Sequence, residues 1–256
     1  MSSSRFSLVG KVAIVTGSGR GLGRAIAKGM AEAGAAVVTT SRNAAEAQSA
    51  ADEIKQAGGR AISVRTDVSD PKACTALVER AVAEFGRLDI MACNAGIILT
   101  NPADKATQDE LEQTLKINVG GVMYCAQAAA RQMEKQGGGS IVVTSSNASL
   151  VAFPDLLTYN ISKGGVDMLV KTLAVEWAPR NIRVNAFNPG YLEHAMTRSE
   201  GYDSDPETEA AILRMTPMRR RGKVDEVVGV AIFLASDASS FMTGTVLPVD
   251  GGWCAL

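Results

Sequence analysis

Short runs of β-branched and other apolar residues alternate along this chain with longer stretches whose apolar side chains return every three or four positions. That alternation predicts a parallel sheet wrapped by helices. The first strand is read over Val12-Ala-Ile-Val-Thr16. The helix after it carries Leu22, Ile26 and Met30 on one face. A second strand covers Ala36 to Thr40, an alanine-rich helix about Ala44 to Ala57, and a third strand Ala61 to Thr66. Pro71 suits the first turn of the next helix, with Ser69 and Asp70 as cap candidates, and that helix ends near Gly86. Leu88 to Cys93 gives the fourth strand. Thr107-Gln-Asp-Glu110 reads as a capping box that opens one long helix to about Gln136. Strands at Ile141–Thr144, Arg183–Phe187 and Thr245–Val249, with helices from about Asp155 to before Pro179 and over Asp225–Ala235, complete the pattern.

No repeat, linker or low-complexity segment interrupts it, so residues 1–256 are expected to form a single α/β domain. Right-handed crossovers turn about seven such strands into a doubly wound parallel sheet. Ligands then bind in the crevice where strand order reverses, between the first and fourth strands. Charge adds little: 26 basic against 27 acidic residues leave a net charge of −1 and no field to recruit nucleic acid or an anionic membrane. Cys74, Cys93, Cys125 and Cys254 are scattered without a C-x-x-C, which argues against a disulfide framework or a zinc site. The opening residues lack the apolar stretch of a secretory signal, and no apolar run approaches the ~18 residues of a membrane span. The expectation is a cytoplasmic protein.

Chemistry first appears at the turn after the first strand. Thr16-Gly17-Ser18-Gly19-Arg20-Gly21-Leu22-Gly23 departs from G-x-G-x-x-G because position 22 is leucine, but it joins a strand to a helix through closely spaced glycines. Such a turn brings backbone N–H groups and a helix N-terminus up to a pyrophosphate, the device of dinucleotide-binding Rossmann-type sheets. In folds that choose NAD, an acid about 20 residues further on grips the ribose hydroxyls. Here the second strand ends Thr40-Ser41-Arg42-Asn43, and no acid lies between Glu32 and Glu46. A hydroxyl and a guanidinium suit a 2′-phosphate, with Arg20 as a second positive charge, so NADP(H) is preferred and NAD(H) kept open. Tyr159 and Lys163 stand at i and i+4 of a helical stretch and share a face. No cluster of metal ligands is evident.

Three features taken together, T-G-x-x-x-G-x-G over Thr16–Gly23, Asn94-Ala95-Gly96 after the fourth strand and Tyr159-Asn-Ile-Ser-Lys163, resemble the short-chain dehydrogenase/reductase family from end to end. Ser146 precedes Tyr159 at the family's spacing, Asn118 matches its fourth catalytic position, and Val249-Asp-Gly-Gly252 matches its closing motif. The resemblance implies an oxidoreductase that moves a hydride between a nicotinamide cofactor and a carbonyl/alcohol pair. Tyr159 would be the acid/base, Lys163 would favour the phenolate and hold the ribose, Ser146 would bind the substrate oxygen, and Asn118 would hold a water. Ser145 is the rival to Ser146, but strand alternation turns neighbours opposite ways.

The resemblance further implies cofactor contacts from Gly17, Ser18, Gly19, Gly21, Leu22, Gly23, Asp67, Val68, Asn94, Ala95, Gly96, Pro189, Gly190 and Leu192, and a substrate lid at about 191–218. His194 stands where the family has a threonine that binds the nicotinamide carboxamide. Imidazole can donate a similar bond, and an ordinary lid residue is the plainer reading. Family helices equivalent to those holding Asn118 and Tyr159 make a homotetramer or homodimer. Among members, the chain is similar to bacterial ketoreductases, including acyl-carrier-protein reductases, and to gluconate dehydrogenases. Gly137-Gly-Gly139 stands where the carrier-protein enzymes place basic side chains, which disfavours a carrier-bound substrate. A dinucleotide-sensing regulator without turnover is the alternative of a different class, and the presence of both Tyr159 and Lys163 speaks against it.

Overall fold

The computed structural model describes residues 5–193 and 206–255. Seven strands, β1 (Val12–Val15), β2 (Ala36–Ser41), β3 (Arg60–Arg65), β4 (Ile90–Cys93), β5 (Gly139–Thr144), β6 (Ile182–Pro189) and β7 (Val246–Val249), form one sheet in the order β3-β2-β1-β4-β5-β6-β7. Every pairing is parallel. β1 and β4 are buried at every residue, as strands covered on both faces must be, which explains their unbroken apolar sequences. The strand order reverses between β1 and β4, placing the crevice at the end of β1.

One face is covered by α1 (Gly21–Glu32), α2 (Ala44–Gln56) and α8 (Val224–Ala235), whose Ile26, Met30, Ile54, Val227 and Leu234 pack with β-strand residues such as Val15 and Val37. The other is covered by α3 (Pro71–Phe85), α5 (Gly121–Lys135) and α6 (Leu157–Trp177), through Leu77, Met133, Val166 and Val170. Of the two cap candidates before Pro71, Asp70 is the N-cap, accepting from the Lys72 N–H at 2.8 Å; Gly86 ends α3 in the left-handed region at φ 81°. Cys74 and Cys125, 51 positions apart, meet as free thiols at 3.5 Å inside this layer.

The helix opened at Thr107 departs from expectation in one place. Its capping box forms as read, with the Glu110 N–H on Thr107 Oγ1 and the Thr107 N–H on Glu110 Oε2. It is not one regular helix, however: α4 (Gln108–Leu115) gives way to a π-helical turn over Lys116–Gly120 before α5 resumes. Inserting one wide turn shifts the helix phase, and turns of this kind gather at functional sites. Asn118 is in the middle of it, 1% exposed. A further helix, α7 (Pro206–Met215), lies within the stretch read as a lid. His194, and Met196 and Tyr202 of the same segment, lie outside the described residues.

Candidate active site

The glycine turn is locked by sterics. Gly17 and Gly21 hold φ of 64° and 52°, a region costly for residues with a Cβ. A Cβ at Gly17 would stand 2.9 Å from Ala95 Cα, and one at Gly23 would strike Gly17 O and Asn94 Nδ2. Thr16 stitches the turn to the end of β4: its Oγ1 accepts from the Asn94 and Ala95 N–H groups at 2.9 and 3.0 Å, while Asn94 Nδ2 donates to Thr16 O. Ser18 is fully buried, its N–H on Thr40 O and its hydroxyl on Val15 O, so it braces the turn rather than facing the crevice. Arg20 is the N-cap of α1 but makes no side-chain cap, and the helix has no acid in its first turn. Its own cap and first turn thus supply no anion to its leading N–H groups and the positive end of its dipole, and a backbone cradle at a helix N-terminus fits a dinucleotide pyrophosphate.

At the end of β2 the residues read as a 2′-phosphate site are present, together with one that sequence order did not place there. The Ser41 hydroxyl accepts from the Asn43 N–H at 3.2 Å and donates to Glu46 Oε2 at 3.2 Å. Arg20 Nη1 lies 3.8 Å from Glu46 Oε1. An acid thus stands against this site after all, folded back from the first turn of α2. Arg42 is exposed, and its charge helps hold the Asp67 carboxyl below its ordinary value, behind the larger effect of the Ser69 N–H. Asp67 is exposed at the end of β3, whereas Val68 turns into the core against α5, where a Cβ on Gly121 would meet its Cγ2 at 2.8 Å.

The residues read as catalytic converge beyond the end of β5. Lys163, 6% exposed, donates to Thr144 O at 3.0 Å, and its Nζ lies 5.5 Å from the centre of the Tyr159 ring. Burial pulls the ammonium down to about 8, and the carboxylate of Asp167, one turn further along α6, opposes that pull. Burial also raises the Tyr159 phenol above its ordinary value, and a hydrogen bond with the Ser146 hydroxyl lowers it in turn. Ser146 faces the tyrosine, accepting from the Ala148 N–H at 3.1 Å, while the buried Ser145 hydroxyl has no partner.

Asn118 is tied at both ends of its amide: Oδ1 accepts from the Ile97 N–H at 2.8 Å, and Nδ2 donates to Ile97 O and to Ser162 Oγ at 2.9 and 3.0 Å. It clamps the loop after β4 to the helix bearing Tyr159. Behind Lys163, Asn188 Nδ2 donates to Asp167 Oδ2 at 3.1 Å and to Ser149 Oγ. Asn188 stands in the Asn188-Pro189-Gly190 run at the end of β6, but neither it nor Asp167 signals this contact in the sequence, because it joins elements 21 positions apart.

Pro189 ends β6, and Gly190 passes close to the chain after β7, where a Cβ would stand 2.8 Å from Asp250 Cα. Leu192 is buried and bridges to Gly222. Phe153, Tyr191 and Trp253 cluster edge-to-face and tilted at centroid distances of 5.2–5.8 Å on the side of the site where Tyr159 packs.

A glycine cradle at the switch point of a parallel sheet, with a tyrosine, lysine and serine converging beyond the adjacent strand, defines an NAD(P)-dependent oxidoreductase acting on alcohol or carbonyl groups. The chain belongs to the short-chain dehydrogenase/reductase family. The family profile described as "Enoyl-(Acyl carrier protein) reductase" matches residues 17–254. The chain is 39% identical over 256 residues to the 2-dehydro-3-deoxy-D-gluconate 5-dehydrogenase of Dickeya dadantii, covering all of both proteins. Its structure is similar to a gluconate 5-dehydrogenase from Burkholderia cenocepacia J2315 in complex with NADP and tartrate, with TM-score 0.95, 38% identity and full coverage of both chains. It is also similar to a 7α-hydroxysteroid dehydrogenase complexed with NADH and 7-oxo glycochenodeoxycholic acid, with TM-score 0.92, 35% identity, and 98% and 97% of the two chains covered.

Proposed function

We propose that the protein reduces a ketone or aldehyde with NADPH, or oxidises the corresponding alcohol with NADP⁺, using Tyr159 as acid/base. The observation that carries this is the convergence of Tyr159, Ser146 and Lys163 beyond β5, beside the glycine cradle. A bound nicotinamide supplies or accepts the hydride. In reduction Tyr159 gives its phenolic proton to the substrate oxygen while Ser146 donates a hydrogen bond to the same oxygen, where negative charge gathers. Lys163 lies close enough to stabilise the phenolate through space, and its ammonium also suits the ribose hydroxyls of the cofactor. Asn118 holds the loop and helix in register. A water it anchors must use the remaining lone pair of Oδ1 or its backbone carbonyl, since both amide N–H groups are engaged.

The cradle contacts are assigned to Gly17, Gly19, Gly21, Leu22 and Gly23, the adenosine end to Ser41, Arg42, Asp67 and Val68, and the nicotinamide side to Asn94, Ala95, Gly96, Pro189, Gly190 and Leu192. A second reading, an NAD(H)-dependent dehydrogenase of sugar acids or polyols, draws support from the Dickeya relative and from Glu46 beside Ser41. A panel of ketones, aldehydes, sugar acids and steroids assayed with both cofactors separates the two. No turnover anywhere on that panel, with cofactor binding retained, would instead favour a dinucleotide sensor.

Self-association has its own support. Along α6, Ile161, Met168 and Val175 are 47%, 61% and 78% exposed at seven-residue steps, which place them on one stripe of the helix. Gly164 lies between them with nothing near its Cβ position, leaving room for a second helix to approach. A dimer or tetramer built through this face is the reading; Met168→Glu should yield monomers in sedimentation, and an unchanged mass would refute it.

A further inference from the structure

Glu46 holds the N3 position of α2, where a glutamate ordinarily reaches back to the N–H of its own cap residue. It does not do so here. The Asn43 N–H is taken by Ser41 Oγ, and Asn43 itself caps the helix through the Ala45 N–H. The Glu46 side chain instead lies flat on the glycine turn: a Cβ built at Gly19 would stand 2.7 Å from Glu46 Cβ and 3.1 Å from its Oε2. From there its two oxygens reach the Ser41 hydroxyl at 3.2 Å and the Arg20 guanidinium at 3.8 Å. These are the hydroxyl and one of the two cations assigned above to a 2′-phosphate. Only Gly19 permits the arrangement, because any side chain there would push the carboxylate away.

We propose that Glu46 is the specificity-determining residue of the adenosine pocket: its carboxylate occupies the 2′-phosphate position on Ser41 and Arg20 and must be displaced by that phosphate. This rests on reading Ser41, Arg42 and Arg20 as the phosphate site. A 2′-phosphate meets like charge at contact range and has to compete for both donors. An unphosphorylated ribose meets an acceptor for its 2′-hydroxyl. The same carboxylate therefore opposes NADP(H) and assists NAD(H), and it narrows the preference that the two arginines create.

Equilibrium binding, read from nucleotide fluorescence for NADPH and NADH and from competition by adenosine 2′,5′-bisphosphate, tests this without turnover. Glu46→Gln keeps the length and the hydrogen bond but removes the charge. It is expected to tighten NADPH and the bisphosphate about tenfold while leaving NADH unchanged or weaker. In an Arg20→Ala background the gain should shrink, because freeing Arg20 is part of the effect. Equal shifts for NADPH and NADH, or none, would overturn the proposal. If Arg20→Ala and Arg42→Ala leave NADPH affinity untouched, the phosphate site itself is wrong and the role of Glu46 falls with it. If those variants weaken NADPH while Glu46→Gln changes nothing, the phosphate site stands and only the role of Glu46 is refuted.

Discussion

Beyond β5, Lys163 is 6% exposed and its neighbours Asp167, Asn188, Ser145 and Ser146 are all buried, whereas at the end of β2 the Arg20 side chain is 53% exposed and Arg42 stands in solvent. The first region has few alternatives open to it. Its polar groups are fixed by the packing of α6 against β6 and by the bond from Lys163 to Thr144 O, and burial, opposed by the Asp167 carboxylate, leaves the lysine at about 8. The second region is held by exposed ion pairs and hydrogen bonds that a ligand can exchange for its own at little cost. Proton transfer requires groups fixed in place with shifted acidities, and dry surroundings supply both. Discrimination between two cofactors that differ by one phosphate requires only a modest energy difference at a wet edge. Substitutions in the buried region should therefore act on rate by orders of magnitude, and those at the rim on affinity by about one.

The largest effect is expected from Tyr159→Phe, which removes one hydroxyl, the one proposed as the acid/base. Turnover should fall about a thousandfold or more while NADPH binding persists. A variant that keeps most of the wild-type rate would break the comparison at its root. Ser146→Ala should cost about 10²- to 10³-fold in kcat. It should also raise the Tyr159 phenol further, since the Ser146 hydrogen bond is what lowers it. Ser145→Ala, beside it, should cost far less, and equal losses at the two serines would show that the hydroxyl facing the tyrosine has been misassigned.

A pH profile sharpens the contrast without removing a reacting group. Lys163 carries its proton below about 8 and loses it above, and the Asp167 carboxylate is the charge that raises this value against burial. Asp167→Asn removes that charge, so the ammonium should be lost at lower pH. The alkaline limb of kcat/KM for carbonyl reduction should move to lower pH by up to about one unit. Asparagine can still accept from Asn188, and circular dichroism checks that the fold persists. A limb that stays in place, or moves upward, would show that Asp167 does not act through Lys163.

Legibility in the sequence divides along the same line. The strands of the buried sheet announce themselves by continuous apolar runs, and the capping box at Thr107 forms between the residues its spacing names. The tyrosine and lysine are legible because i and i+4 share a helix face. The π-helical turn at Asn118 is not, because one widened turn leaves the apolar spacing on either side almost unchanged. Glu46 was visible as the first acid after the second strand, yet nothing in a linear reading shows a helix's first turn folding its side chain back over Gly19. Asp167 and Asn188 meet only through tertiary packing. Local rules thus recover what local geometry makes, and the cofactor rim is made by contacts between elements.

The smallest expected effect tests that rim directly. Ser41→Asp combined with Arg42→Ala places an acid at the end of β2 and removes a cation beside it. An exposed charge-assisted contact is worth about 1–2 kcal/mol, so each change should move the NADPH-to-NADH preference about tenfold, and together they should reverse it. The new carboxylate would also stand beside Glu46, which now accepts from the Ser41 hydroxyl, and repulsion between them should drive Glu46 off Gly19. The double variant should therefore gain less NADH affinity than a lone acid would give, and adding Glu46→Gln should recover it. The reversal should appear in kcat/KM for the two cofactors while kcat on the preferred cofactor stays within a fewfold of wild type, because Tyr159 and Lys163 lie in the other region. A wild type that already prefers NADH would refute the phosphate site while leaving the buried region's assignments intact. A collapse of kcat with both cofactors would show that rim and buried site are coupled, and the comparison itself would fail.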